Sequence, residues 1–413
     1  MDEDNCFECG KRYIGFTWCY PCQNKRFEKE FGNWTSGNKI IDKFLQKTQS
    51  EAIETDELLE WIPYEEFKDI KYLTRGGFGK VYQSIWVDGP KAYWDGNDWV
   101  RVKDEVTVLK SLGFSQDIND DFFAEIAGYV ELMKKNRERV DHRILQYYGI
   151  TQNPETKEFL MVIEYAVHGS LRALLSDLKK SGKELTWKGR ITFLFNIAHG
   201  LESVFKADLV HGDLHSGNIL VLEMYPVIGD FGLCKPKTSV GKVTSGVIPY
   251  MAPEVLRGEK YTQASDIYSF GMIMWEIETG QLPFSGCAHD VHLVMDICKG
   301  LRPPISDLMP KCYSDLICRC WDANPSNRPS IVDIYTTAAD WHIRKVNAEE
   351  FQKYEKVRRK LFAEAEGTQS AKVEIHKAAV YTSRLLKYDD LPEPVNQLPE
   401  SHRIEFTMPL DFM

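Results

Sequence analysis

The hydropathy pattern changes its period part-way along the chain, and that change limits the fold more than any other feature. After Pro63, in "YEEFKDIKYLTRGGFGKVYQSIW", apolar positions begin to alternate, which is the period of a half-buried strand. Short strand-like runs continue to about residue 165, broken by one helical stretch near "DDFFAEIAGYVELMKK". From 170 to about 345 the pattern is mainly helical, with loops rich in Gly and Pro. Strands first and helices afterwards predict an α+β architecture, a small strand-rich lobe and a larger helical lobe with a cleft between them. A chain of 413 residues has room for both and for a sizeable core.

Within the strand-rich part, "LTRGGFGKVY" reads as strand, turn, strand. Gly76, Gly77 and Gly79 let backbone amides approach phosphate oxygens, and Phe78 can cap them from water. An ordinary turn is the competing reading. "VTVLKSL" alternates like a buried strand and ends near Lys110, and fifteen residues later "FFAEI" puts Glu125 on the inner face of the expected helix. A lysine that reaches phosphate needs such a carboxylate to hold it. Lys103, in the more polar "VRVKDEV", has no glutamate at that distance and is the weaker candidate. The intervening "VDGPKAYWDGNDWVRVK" is then an insertion between two strands.

In the helical part, "LVHGDLHSGNIL" sets Asp213 five residues before Asn218, and "VIGDFGLCK" brings Asp230 seventeen residues after Asp213. These suit phosphoryl transfer, with Asp213 accepting a hydroxyl proton and Asn218 and Asp230 holding magnesium. Either motif alone is an ordinary turn; their order and spacing together are not. The H-G-D-L-H form resembles the loop of small-molecule phosphotransferases, since protein kinases carry H-R-D-L-x-x-x-N. Later runs decide between the two. "YMAPEVL" supplies Ala252, Pro253 and Glu254, "ASDIYSFGMIMWE" supplies Asp266, and "CWDANPSNRPS" supplies Arg328 as an ion-pair partner for Glu254. With them, about residues 67 to 345 resemble the eukaryotic protein kinase family. The G-V-x-P-Y-x-A-P-E and S-D-I-Y-S-F-G runs resemble its tyrosine-kinase-like branch.

The resemblance implies a bilobal protein-kinase fold, with a small lobe over 67–165 and a large lobe over 166–345. It implies ATP and Mg2+ as cofactors and protein serine or threonine hydroxyls as substrates in signal transduction. Gly76, Gly77, Phe78 and Gly79 would cover the phosphates and Val81 the adenine, while Lys110, paired with Glu125, would hold the α and β phosphates. In "FLMVIEYAVHGSL", Ile163 would back the adenine pocket, and the Glu164 carbonyl and Ala166 amide would bond the base.

The chain also departs from the family pattern. Thr74 stands in place of the first glycine and should loosen that loop. Gly212 replaces the Arg that anchors a phosphorylated activation loop. Activity should therefore depend less on phosphate at Thr238, Ser239, Thr244 or Ser245, unless Lys235 or Lys237 substitutes for the missing cation. His215 and Val247 stand where serine/threonine kinases carry Lys and Thr, so only the branch resemblance favours those acceptors over tyrosine. Lys110, Glu125, Asp213, Asn218 and Asp230 are all present, which favours an active enzyme over a pseudokinase that serves as a nucleotide-binding scaffold.

The flanks read separately. Residues 1–30 carry Cys6, Cys9, Cys19 and Cys22 as two C-x-x-C knuckles nine residues apart. Four thiolates so spaced suit tetrahedral zinc; free thiols or a redox pair are the competing readings, and no thioredoxin-like pattern follows. A piece this small has no core without metal. It would serve as a clip, a finger for a protein partner, or a nucleic-acid contact through Lys11, Arg12, Lys25 and Arg26. Residues 31–66 read as a helical linker in which Ile40, Ile41, Phe44, Leu45 and Thr48 recur at helical spacing. Residues 346–413 start as the charged helix "AEEFQKYEKVRRKLFAEAE" and end in a Pro-rich tail expected to be extended or partly disordered. The net charge of −10 argues against a general nucleic-acid or anionic-membrane binder. With no apolar run near the ~20 residues of a spanning helix and no signal-peptide core in "MDEDNCFECG", a cytoplasmic protein with six further reduced cysteines is expected.

Overall fold

The computed structural model describes residues 5–13, 18–75, 79–111, 120–137, 143–223, 225–236, 244–365, 375–388 and 391–396. They form two units, Met1–Tyr165 with Asp230–Gly232, and Ala166–Gly229 with Leu233–Met413.

The first unit opens with α1 (Tyr20–Glu30) and α2 (Lys39–Glu51). Asn38 caps α2 by accepting from the Ile40 and Ile41 amides, at 2.9 and 3.4 Å. Ile41, Leu45 and Thr48 form the buried face of α2, and Ile40 is exposed. There follow β1 (Glu60–Trp61), β2 (Phe67–Arg75), β3 (Lys80–Trp86), a hairpin of β4 (Lys91–Trp94) and β5 (Trp99–Arg101), and β6 (Glu105–Ser111). Next come α3 (Asp120–Lys135), β7 (Tyr147–Gln152) and β8 (Phe159–Glu164). The hairpin is the expected insertion. Six strands make one sheet in the order β1-β7-β8-β6-β3-β2, antiparallel except between β1 and β7.

Alternation along β6 sends Leu109 into a core of Ile62, Phe67, Trp86, Leu160 and Val162, and so turns Lys110 to the other face. The register puts Lys110 between Val81 of β3 and Met161 of β8. On α3, Phe122, Ile126, Tyr129 and Met133 are buried at helical spacing, and Glu125 shares that face. Packing crosses the boundary that the sequence sets at Pro63. Trp18, Phe27, Ala52 and Leu58 cluster together, and Trp99 of β5 lies 5.9 Å from the Trp18 ring and 5.7 Å from Phe27. Phe44 of α2 meets Phe123 of α3 edge-on at 5.7 Å. Such aromatic pairs contribute about 0.5–1.5 kcal/mol each beyond their buried area.

The second unit is mainly helical. Its elements are α4 (Leu171–Lys180), α5 (Trp187–Lys206), β9 (Leu209–Val210), β10 (Ile219–Val221), β11 (Pro226–Ile228), β12 (Lys235–Pro236) and β13 (Thr244–Gly246). They continue with α6 (Pro253–Leu256), α7 (Gln263–Thr279), α8 (Val291–Cys298), α9 (Lys311–Cys320), α10 (Ile331–His342), α11 (Ala348–Ala365) and β14 (Arg384–Leu386). Ser170, Thr186 and Ser330 accept backbone amides at the starts of α4, α5 and α10. Helix α7 is buried along nearly its whole length, the polar Asp266, Ser269, Glu276 and Glu278 included. A reciprocal Thr262–Ser265 cap starts it, and Gly280, at φ +63°, ends it. The short strands pair as β10–β11, β9–β12 and β13–β14. No helix among the described residues is long and apolar enough to cross a membrane. Where the tail is described, over 375–388 and 391–396, backbone pairing and side-chain hydrogen bonds hold it. Residues 397–413 lie outside the described residues.

Candidate active site

In the first unit the site is built on β6 and α3. Lys110 Nζ donates to both Glu125 oxygens, at 2.8 and 3.0 Å, and to Asp230 Oδ2 at 3.1 Å. Burial opposes the lysine's charge, but Asp230 and Glu125 more than restore it and raise its pKa above the usual value. The Tyr147 hydroxyl donates to Glu125 Oε1 at 2.7 Å. Its ring stacks on Tyr129 at 4.6 Å and meets Phe231 at 6.4 Å. Asp230 takes φ +63°, in the left-handed region that Asp tolerates better than most residues. Lys103 is exposed in the turn before β6. Val81 faces Lys110 across the ladder, and Thr74 is exposed opposite Val81. Gly76, Gly77 and Phe78 lie outside the described residues. Gly79 is required by close approach, because a Cβ there would sit 1.6 Å from the Ser111 carbonyl oxygen. Ile163 is buried in β8, and Glu164 ends that strand, its amide donating to Gln146 O at 2.9 Å.

In the second unit the loop after β9 carries the other group. Asn218 Nδ2 donates to the Asp213 carbonyl at 2.9 Å and lies 3.5 Å from Asp213 Oδ2. This orients the amide oxygen of Asn218 away from that contact. His211 Nδ1 accepts from the Asp213 amide at 3.3 Å, and its Nε2 faces Gly229 O at 3.2 Å. Asp266, near the start of α7, accepts from the His211 and Gly212 amides at 2.7 and 3.0 Å. Burial pushes the Asp266 carboxyl up to about 7, against those two bonds. Gly212 sits at φ +75°, and a Cβ would lie 3.1 Å from Leu233 O. An Arg there would therefore be strained.

Burial works to raise the Asp213 carboxyl as well. The His215 ring, 3.7 Å from Asp213 Oδ2, and the Ser383 hydroxyl, which donates to Oδ2, outweigh it and hold the group below the usual carboxylate range. Val247 is buried, and Ala166 is buried at the start of the unit. Glu254 and Arg328 form a buried bidentate pair at 2.7 and 2.8 Å. Thr238, Ser239 and Lys237 lie outside the described residues, whereas Thr244 and Ser245 form β13 and Lys235 is exposed in β12.

The Sγ atoms of Cys6, Cys9, Cys19 and Cys22 all lie within 4.8 Å of one another, and none is in a disulfide. Cys9 and Cys19 approach to 3.4 Å, and Cys6 and Cys22 to 3.9 Å. Four bonds of about 2.3 Å to one tetrahedral ion would separate the sulfurs by roughly 3.8 Å, so the cluster could hold a metal ion. The Lys11 backbone and the Cys19 thiol hold the Cys9 thiol down to about 7.

A sheet unit with a lysine paired to a buried glutamate, followed by a helical unit with an Asp–Asn loop, defines a protein-kinase domain. Residues 67–337 match the model of the protein tyrosine and serine/threonine kinases, and the chain belongs to that family. It is 31% identical over 293 residues to a protein of Acanthamoeba polyphaga mimivirus named as a serine/threonine-protein kinase/receptor, covering 70% of this chain and 16% of the relative. Two proteins of Dictyostelium discoideum named as serine/threonine-protein kinases are 29% and 32% identical, over 69% and 66% of this chain and 20% and 28% of their own lengths. The chain thus spans less than a third of these relatives' lengths.

Three residues at these sites escape a reading of motifs. Tyr147 of β7 reaches Glu125 of α3, with no local pattern to mark it. His211 stands inside a motif that draws attention to its acid. Ser383 lies 170 residues from the Asp213 it touches.

Proposed function

We propose that the chain is an active, ATP- and magnesium-dependent protein kinase of the tyrosine-kinase-like branch, transferring the γ-phosphoryl group to serine or threonine hydroxyls in signalling. The observation that carries this reading is the half-buried Lys110, held charged by Glu125 and Asp230 together. A fixed cation so placed suits the α and β phosphates, with Gly76, Gly77, Phe78, Gly79 and Val81 around the nucleotide and Glu164 and Ala166 at the adenine. Asp213, kept ionised by its neighbours, takes the acceptor's proton. The Asp230 carboxylate and Asn218 amide oxygen are hard donors fit for magnesium, which when bound neutralises phosphate charge. The branch assignment rests on the G-V-x-P-Y-x-A-P-E and S-D-I-Y-S-F-G runs, and serine/threonine acceptors on the relatives' names.

The purified chain given labelled ATP and magnesium should label protein serine or threonine. Lys110→Met should cut that rate by about 10²–10³-fold, and Lys103→Met should leave it nearly unchanged. The reverse ranking, or nucleotide binding with no transfer to any acceptor, would overturn the reading and point to a scaffold.

We assign residues 1–30 to a zinc module, 31–66 to a helical linker, 67–345 to the kinase domain and 346–413 to a helix and tail, in a cytoplasmic protein. The zinc module offers a surface to a protein partner. Cys6, Cys9, Cys19 and Cys22 supply the four thiolates for the zinc ion. One zinc per chain is expected by metal analysis. A chelator should also shift tryptophan emission, because Trp18 packs against Trp99. Metal-free protein with four freely titrating thiols would sink the assignment.

A further inference from the structure

The tail beyond α11 returns to the catalytic loop of the second unit and ends a serine on its acid. His376 N donates to Ser285 O at 2.9 Å, and His289 N to Ala378 O at 3.0 Å. The Val380 amide donates to His289 Nδ1 at 3.0 Å, and the same ring reaches Phe284 O through Nε2 at 3.2 Å. The Tyr381 hydroxyl donates to Pro283 O at 2.8 Å, and Arg172 Nη1 donates to Tyr381 O at 2.6 Å. Arg384 Nη2 donates to His289 O at 2.5 Å. Beyond that point β14 adds antiparallel to β13, with Arg384 opposite Gly246, Ser245 opposite Leu385 and Thr244 opposite Leu386. Between these anchors the Ser383 hydroxyl donates to Asp213 Oδ2.

A peptide held by strand addition and by pinned flanking residues is the way an extended substrate is recognised. A hydroxyl donating to the carboxylate that will take its proton is the geometry an acceptor needs. We infer that the segment Val380–Leu386 is bound as an acceptor peptide and that Ser383 is phosphorylated within its own chain. This rests on the kinase reading above. Ser383 Oγ forms a bond to the γ-phosphorus of ATP as the bond from that phosphorus to the β,γ-bridging oxygen breaks. The hydroxyl proton passes to Asp213 Oδ2 and then to water, and ADP leaves with the bridging oxygen's electron pair. The product carries about −1.5 to −2 charges beside the Asp213 carboxylate, and like-charge repulsion expels the segment. The Asp213 carboxylate and the β13 edge are then open to other proteins.

The test uses the full chain, freed of phosphate, with ATP and magnesium at several protein concentrations, read by phosphopeptide mapping. Phosphate should appear on Ser383 rather than Thr382 or Tyr381, at a fractional rate independent of protein concentration. Ser383→Ala should abolish that mark, and Ser383→Thr should restore it as phosphothreonine. Phosphorylation should lower the KM for an external basic protein acceptor several-fold with kcat little changed. If the external acceptor is phosphorylated while Ser383 stays unmodified, or if the fractional rate rises with protein concentration, the inference is overturned and the kinase reading stands. Transfer to no acceptor at all would overturn both.

Discussion

Asp213→Asn should lower turnover by about 10²–10⁴-fold, the usual worth of a positioned proton acceptor, and leave nucleotide affinity nearly unchanged. The replacement keeps the shape of the side chain, and the Asn218 amide still bonds the backbone carbonyl of residue 213 rather than the lost carboxylate. Only the ability to take a proton is removed. Single-turnover transfer measured beside calorimetric nucleotide binding separates the two effects; a variant that turns over like the parent would show that another group is the base. The pH dependence follows from the depressed carboxyl of Asp213. Its active form is the ionised one, so activity set by this group should persist as pH falls through the ordinary carboxylate range. It should be lost only below that range.

The second large effect is structural. Arg328→Met should destabilise the helical unit by about 3–5 kcal/mol, because Glu254 is left as a buried charge without its bidentate partner. Arg328 also donates to the Ala264 and Asp322 carbonyls, both at 2.9 Å, so those acceptors lose a donor as well. A melting transition lowered by roughly 10 °C is expected for a unit of this size. Pairing the change with Glu254→Met should recover part of the loss, since no charge then remains buried alone. A single variant that melts within a degree of the parent would contradict this account.

What could be read from the sequence, and what could not, follows from how far each signal reaches. Lys110 and Glu125 were legible because strand alternation and helix spacing are local, and each fixes the face on which its residue lies. The Glu254–Arg328 pair was legible because both residues sit in recognisable runs. Tyr147 was not, because its bond to Glu125 depends on how α3 packs against β7, which alternation does not encode. The conformational demand at Gly212 was also hidden. The missing Arg is plain in the sequence, but the left-handed backbone and the nearby Leu233 carbonyl are not. The tail was read from its prolines as extended or partly disordered. Its partners could not be read, because loop-crossing contacts to Asp213, Arg172 and His289 leave no trace in composition.

The support of α3 bears on how the molecule can be cut. The Tyr129 hydroxyl donates to the Asp56 carbonyl at 2.9 Å, and Arg137 grips both Glu57 oxygens at 2.7 and 2.8 Å. Lys134 meets Glu51. All three acceptors precede Phe67, where the family match begins. A fragment started at that residue would hold every motif of a kinase and yet lack the brace on the helix that carries Glu125. Weak activity from such a truncation would report the missing brace, not the chemistry of the intact chain.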